Sequence, residues 1–288
     1  MTGPHSTPSA LHLPPRLASL AGTPTYAALL ELVEAGRRLR RVQVGRERLY
    51  VLEGHDGYLV SVSTALQAVA KPALIGWARE AALQAVRQLL LEGAKGPWLP
   101  CDPATVDDLI ARAREAALAR RDEAAAMGTA LHRLIEEHIW GREPVVPPQL
   151  SQAYAAYLGW EQKTDMMVLL AELPIYSLQH RYAGTVDAIG LREGGIVALD
   201  WKSSGGIYIE HALQVAAYAH ALEEMTGLPV QEAWVVRLSK EEPRFEARRV
   251  RDWRRALEGF LAALTLFRHL RTEHLEDGAQ EKMAPPFS

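Results

Sequence analysis

Cysteine is almost missing from this 288-residue chain, where Cys101 stands alone. One thiol closes no intramolecular disulfide. Nor does it supply a Cys-based zinc site or the four thiolates of an ordinary iron-sulfur cluster, and a reducing, cytoplasmic setting is expected. Long apolar runs are missing too. Nothing approaches the roughly 18–20 consecutive apolar residues of a membrane-spanning helix, so no membrane partner is expected. The opening residues, with His5 and several prolines before Arg16, have neither the charge nor the apolar stretch of a signal peptide. There is no Gly-x-x-x-x-Gly-Lys-Ser/Thr run, which excludes a P-loop motor. Charge of one sign is scarce: the formal net charge is −3, so any contact with nucleic acid has to be local. Lysine is rare, six residues among the 32 Lys and Arg, and the position of each lysine is correspondingly informative.

Apolar residues make up 48 % of the chain, enough to build one large domain or two small ones. Residues 1–15 read as a loose tail. Residues 16–121 read as a mainly helical region with a small hairpin. In it a helix over 26–39 ends in Arg37-Arg38-Leu39-Arg40-Arg41, charges that suit a helix C-terminus and that are also placed to touch phosphate. Strands at 48–52 and 58–62 flank Gly54-His55-Asp56-Gly57. Ser63 or Thr64 caps a helix to residue 69 that breaks at Lys71-Pro72 and resumes to 91; 93–103 is a Gly/Pro-rich loop, and a further helix covers 104–121. Residues 122–275 form the core, with helices at 122–140, 151–164, 209–226 and 253–274 and strands at 168–176, 182–202 (a hairpin) and 232–238. Residues 276–288 are a second tail.

The most informative stretch is the hairpin. Two β-rich runs flank Gly194-Gly195, and a turn centred between Glu193 and Gly194 sets Asp187 directly opposite Asp200. Directly opposed Cβ atoms lie about 4.5–5.5 Å apart, and two carboxylates at about 4 Å repel by roughly 4 kcal/mol at an effective dielectric near 20. Lys202 follows Asp200 by two positions and so returns to the same strand face. Ile196-Val-Ala-Leu199 reads as a strand covered on both faces, and charges at the end of such a strand need partners. Two acids and an amine on one patch suit a hard divalent cation, Mg²⁺ or Mn²⁺, or else a solvated cross-strand ion pair.

Other candidates are placed by spacing. Gly128, His132 and Glu136 recur every four residues and share one helix stripe; a mid-helix glycine costs about 1 kcal/mol relative to alanine, a cost that makes sense where a backbone or ligand comes close. Glu172 interrupts an apolar strand, as a strand-end carboxylate or a functional one. Gln214 and Tyr218 lie one turn apart on a helix, the tyrosine in the core, the glutamine against the acids or against solvent. Arg248, Arg249 and Arg251 belong to the densest basic run, either a rail for a phosphate backbone or a solvated helix start. Trp201 and Tyr208 offer rings on which bases stack, although burial is the ordinary fate of Trp201.

Taken together, Gly128-Thr-Ala-Leu-His132 with Glu136, Gly184-Thr-Val-Asp187, Leu199-Asp200-Trp-Lys202-Ser203 and Gln214-x-x-x-Tyr218 resemble, in order and spacing, the motifs of the RecB-type exonucleases of the PD-(D/E)XK nuclease superfamily, a family that includes the mitochondrial genome maintenance exonuclease and phage relatives. The likeness covers roughly 124–238, and Ser61-Val-Ser-Thr64 with Lys71-Pro-Ala-Leu-Ile-Gly-Trp77 is similar to the N-terminal segment of some relatives. The resemblance implies an α/β fold, a restriction-endonuclease-like core with a central mixed sheet flanked by helices, and a helical N-terminal extension. It implies that Asp187 and Asp200, with the backbone carbonyl of Trp201 and the imidazole of His132, bind Mg²⁺ or Mn²⁺. By the same likeness Lys202 positions the attacking water and Gln214 supports the site or the DNA strand, with Tyr218 beneath it. Glu136 and Glu172 are supporting carboxylates, and Ser203 joins Arg248, Arg249 and Arg251 as a DNA-contact candidate. The family's Pro before the first Asp is Val186 here, and the cysteines of the cluster-bearing relatives are absent. The implied activity is a DNA exonuclease acting on single strands or ends, in repair, recombination or phage genome processing; a structure-specific endonuclease and a non-catalytic DNA-end binding module remain open.

Overall fold

The computed structural model describes residues 13–45, 47–69, 72–93 and 103–270. The tail at 276–288, the loop around Cys101, Lys71 and all but the last three residues of the first tail lie outside these residues. The chain is α/β, with a mixed eight-stranded sheet flanked by helices on both faces.

Helix α1 (Pro15–Ala18) leads into α2 (Pro24–Arg37), which starts where Thr23 accepts the Tyr26 N–H. Strands β1 (Leu39–Val44), β2 (Glu47–Leu52) and β3 (Leu59–Ser61) follow, then the short α3 (Val62–Ala65). A helical pair, α4 (Pro72–Gly93) and α5 (Pro103–Ile139), precedes α6 (Ser151–Lys163). Strands β4 (Met167–Ser177), β5 (Tyr182–Arg192) and β6 (Gly195–Lys202) lead to α7 (Ile209–Thr226), β7 (Val230–Leu238), β8 (Phe245–Arg249) and α8 (Trp253–His269).

Several expectations are corrected. The basic run does not end a helix: α2 stops at Arg37, and Arg40 and Arg41 belong to β1, paired antiparallel with β2. Leu39-Arg-Arg-Val-Gln-Val is a strand because every one of its residues pairs with β2, from Leu39 opposite Leu52 to Val44 opposite Glu47. Neither Ser63 nor Thr64 caps α3; Ser61 holds the cap position without a side-chain bond, and the Thr64 hydroxyl donates to the Arg48 carbonyl at 3.0 Å. The two helices expected at 104–121 and 122–140 are one, because no Gly or Pro interrupts Arg120-Arg-Asp-Glu123 and the run is alanine-rich. The boundary drawn near residue 121 thus falls inside α5. Arg248 and Arg249 sit on β8, not in a helix start.

The register of the central hairpin is the one the turn dictates, with Ala188 opposite Leu199 and Arg192 opposite Gly195. Strand β4 pairs along one edge of β5 from end to end. The other edge is shared: β3 runs parallel to Tyr182 and Ala183, whereas β6 runs antiparallel to 188–192. Residues 184–187 lie between these two ladders, where the sheet splays. Crevices at such divergences are where open α/β sheets take ligands. Two buried cores sandwich the sheet, one under α2, α7 and α8 around Phe260 and Leu222, the other under α5 and α6 around Trp160 and Trp201. Among the described residues, no helix is long and apolar enough to cross a membrane.

Candidate metal centre

Three strands each bring one acid to the splay. Ala171 opposes Ala188 and Leu173 opposes Val186, so Glu172 on β4 stands across from Asp187 on β5; Ala188 opposes Leu199, so Asp200 on β6 is the next residue beyond the ladder on the other side. The ladder stops there because the Trp201 N–H donates to Asp187 Oδ2 at 2.8 Å, a side chain replacing a backbone partner. Glu172 has φ of 52°. A non-glycine residue in that region inside a strand carries strain of order 1–3 kcal/mol, which persists where surrounding structure enforces it and clusters at functional sites.

The imidazole arrives from a helix. His132 on α5 places Nδ1 3.0 Å from Glu172 Oε1 and 3.7 Å from Asp187 Oδ1. His132, Glu172 and Asp187 each offer one ligand atom, all within 4.8 Å of one another. Burial alone lowers the His132 pKa, but the Asp187 charge and the Glu172 hydrogen bond outweigh it and raise the group to about 9. The cluster collects a cation where it can, here a proton.

Asp200 lies behind this trio with 0 % exposure. Lys202 Nζ sits 2.7 Å from its Oδ2, yet neither carboxylate oxygen takes a hydrogen bond of ordinary geometry among the described residues. Burial pushes the Asp200 carboxyl up, Lys202 pulls it down, Asp187 pushes it up again, and the net direction is upward. Lys202 is lowered by burial and raised more by Asp200 and Asp187. A buried carboxylate with open lone pairs, an adjacent carboxylate and an imidazole make a donor set that fits a hard divalent cation. The residues brought closest around one point are His132, Glu172 and Asp187, with Asp200 coupled to Lys202 beside them; Glu172 thus stands nearer the centre than a supporting role implies.

The remaining expected residues divide. Gln214 Nε2 donates to the Tyr218 hydroxyl at 2.9 Å, and Tyr218 packs so closely under β5 that a Cβ on Gly184 would meet its ring at 2.7 Å. Burial, then the charges of Asp187 and Asp200, raise the Tyr218 pKa. Glu136 is half-buried, and burial followed by the Glu172 charge raises its pKa. Ser203 lies beside Gly128, where an added Cβ would stand 3.4 Å from its Oγ, so the glycine has a neighbour but room for a methyl. Trp201 is buried against Trp160 and Tyr157 and offers no ring to a base, whereas Tyr208 is exposed. Arg248 is bonded to Glu246 and Arg249 to Glu232, while Arg251 is exposed in the turn before α8.

His132, Glu136, Glu172, Asp187, Gln214 and Tyr218 line a cleft of about 460 Å³, and Arg41 and Arg48 belong to the same lining. Arg48 and Tyr50 line the cleft although no sequence motif marks them, and Arg41, expected at a helix end with phosphate in reach, lines it from a strand. The β1–β2 register, with Arg41 opposite Tyr50 and Gln43 opposite Arg48, places Arg41 and Arg48 on one face of the hairpin.

No family model matches the chain, and no curated protein matches it. Among solved structures, one titled "Crystal structure of SSO0001" is similar over 50 % of this chain and 69 % of that chain, at 15 % identity and a TM-score of 0.26, a likeness that carries no argument about fold or function.

Proposed function

We propose that the protein is a Mg²⁺- or Mn²⁺-dependent deoxyribonuclease with a PD-(D/E)XK-type core, an exonuclease acting on single-stranded DNA or DNA ends in the cytoplasm. The observation that carries this reading is the His132–Glu172–Asp187 cluster, whose ligand atoms lie within 4.8 Å of one another, beside the fully buried Asp200 that pairs with Lys202 at 2.7 Å. The order and spacing of the four motifs around these residues support the same reading.

A phosphodiester is anionic and resists hydroxide; a divalent cation held by these donors supplies Lewis acidity toward a phosphoryl oxygen and makes water more acidic. The chain's own groups do the rest. Asp187 is fixed by the Trp201 N–H, which leaves Oδ1 as its free donor atom. Lys202 keeps its proton beside two acids, so it presents a permanent positive charge to a phosphate or orients a water. His132 offers Nδ1 as a ligand once its proton leaves. Tyr218 and Gln214 brace the floor beneath Gly184, holding the splay open.

The test is digestion of single strands labelled at one end and blocked at one end or the other, with Mg²⁺ and then with EDTA. Metal-dependent release of nucleotides from an open end supports the exonuclease; cleavage that ignores both blocks moves the assignment to an endonuclease; no cleavage under any metal rejects the enzyme.

A further inference from the structure

Two cations in the lining of the cleft, Arg41 and Arg48, have no partner among the described residues. Arg41 opposes Tyr50 and Gln43 opposes Arg48 in the β1–β2 ladder, so both arginines project from the same face as diagonal neighbours. Like charges so placed repel, and no described residue offers either side chain a hydrogen bond or an ion pair. Some arginines elsewhere are matched, Arg192 and Arg249 sharing Glu232 and Arg254 taking Glu223; what sets Arg41 and Arg48 apart is that both line the cleft that holds His132, Glu172 and Asp187. Next to this pair, Ser61 Oγ and Ser63 Oγ lie 2.8 Å apart. Two hydroxyls carry two donor protons but need only one for the bond between them, and both line the same cleft. The Thr64 hydroxyl holds the Arg48 carbonyl and β3 pairs with both β2 and β5, so Arg48 is tied to the strand that bears Asp187.

We propose that Arg41 and Arg48, with the Ser61–Ser63 hydroxyl pair, form an anion site that takes a phosphate of the bound strand other than the one being cut. The proposal rests on the nuclease reading for the identity of the strand, but the site itself is defined by its own residues. Planar guanidinium forks and a spare hydroxyl proton are the donors that phosphate oxygens select. A polyanion entering a cleft lined by Glu136, Glu172 and Asp187 also needs cations in that lining.

The test is the affinity of a fluorescent oligothymidylate, read by anisotropy across a salt series in Ca²⁺, for the native protein and for Arg41→Gln, Arg48→Gln, Ser61→Ala with Ser63→Ala, and Arg40→Gln. Arg40 is on the same strand but projects from the opposite face. Each of the two cleft arginine variants should bind roughly tenfold to a hundredfold more weakly and flatten the logarithmic salt slope by about 0.7. The serine pair should lose severalfold, and Arg40→Gln should match the native protein. Strands ending in phosphate or hydroxyl separate the two sources. A native preference for the phosphate end that the arginine variants abolish assigns a terminal monoester, and equal losses on both strands assign an internal diester. Equal binding by native and cleft variants, losses in Arg40→Gln as large as theirs, or no binding by the native protein overturns the site. Weakened binding in the cleft variants together with no cutting in Mg²⁺ leaves the site standing and rejects the nuclease reading alone.

Discussion

Asp200 has no exposed surface; Lys202 Nζ stands 2.7 Å from its Oδ2, and among the described residues neither oxygen takes a hydrogen bond of ordinary geometry. An ionised carboxylate so placed costs several kcal/mol unless it is paired and hydrogen-bonded, and chains keep such groups where they bind or react. Asp200→Ala and Lys202→Ala are each expected to lower metal-dependent nucleotide release by roughly a hundredfold or more, with the far-ultraviolet circular dichroism unchanged; retained cleavage in either would remove that residue from the chemistry. His132 gives a pH prediction. Its pKa rises from the ordinary 6.5 to about 9 on folding, so its contribution to stability is complete below about 6.5 and is lost as pH climbs through 9. Asp200, also raised, loses its contribution in the same direction. Melting curves in EDTA should therefore fall in midpoint between pH 6.5 and 9. With excess Mn²⁺ the fall should flatten or reverse, because ligands must shed protons to hold the cation; the same slope with and without Mn²⁺ would show that His132 is no ligand.

At the scale of elements, two glycines that the sequence marks as special come apart. A Cβ at Gly184 would sit 2.7 Å from the Tyr218 ring, whereas at Gly128 it would sit 3.4 Å from the flexible Ser203 Oγ. Gly184→Ala should destabilise by about 1–3 kcal/mol through overpacking. Gly128→Ala should stabilise α5 by up to about 1 kcal/mol. Denaturant titrations check both, and a destabilised Gly128→Ala would mean that the helix approaches the β6–α7 loop more tightly than the structure has it. The hairpin register was legible because the turn and the alternation state it twice over, and α7 because Gly227 and Pro229 close it. Strand β1 was not legible: Arg37 to Arg41 satisfies a helix C-terminus as well as it satisfies a strand, and only its pairing with β2 decides. The continuity of α5 was hidden by Arg121-Asp122, a pair that reads as an ending and a cap but forms a local ion pair on an unbroken helix.

For the molecule as a whole, the division into an N-terminal region and a core dissolves in the sheet. Strand β3 lies parallel to β5 although more than a hundred residues of chain separate them, and no local pattern announces a pairing so distant. That pairing leaves residues 184–187 between two ladders and brings β1 and β2 to the cleft, which is why Asp187 and Lys202 were found from sequence and Arg48 was not. Because His132 on α5, Glu172 on β4 and Asp187 on β5 each bring a possible ligand atom within 4.8 Å of the others, a cation bound there should couple these elements. At a free concentration one hundred times its Kd it adds about 2.7 kcal/mol, which for a chain of 288 residues raises Tm by roughly 4–5 °C. Calorimetric titration with Mn²⁺ tests the metal centre most directly. The account predicts saturable binding to the native protein that is lost or greatly weakened in Asp187→Asn and Glu172→Gln; the absence of binding, or binding unchanged in both variants, would contradict it.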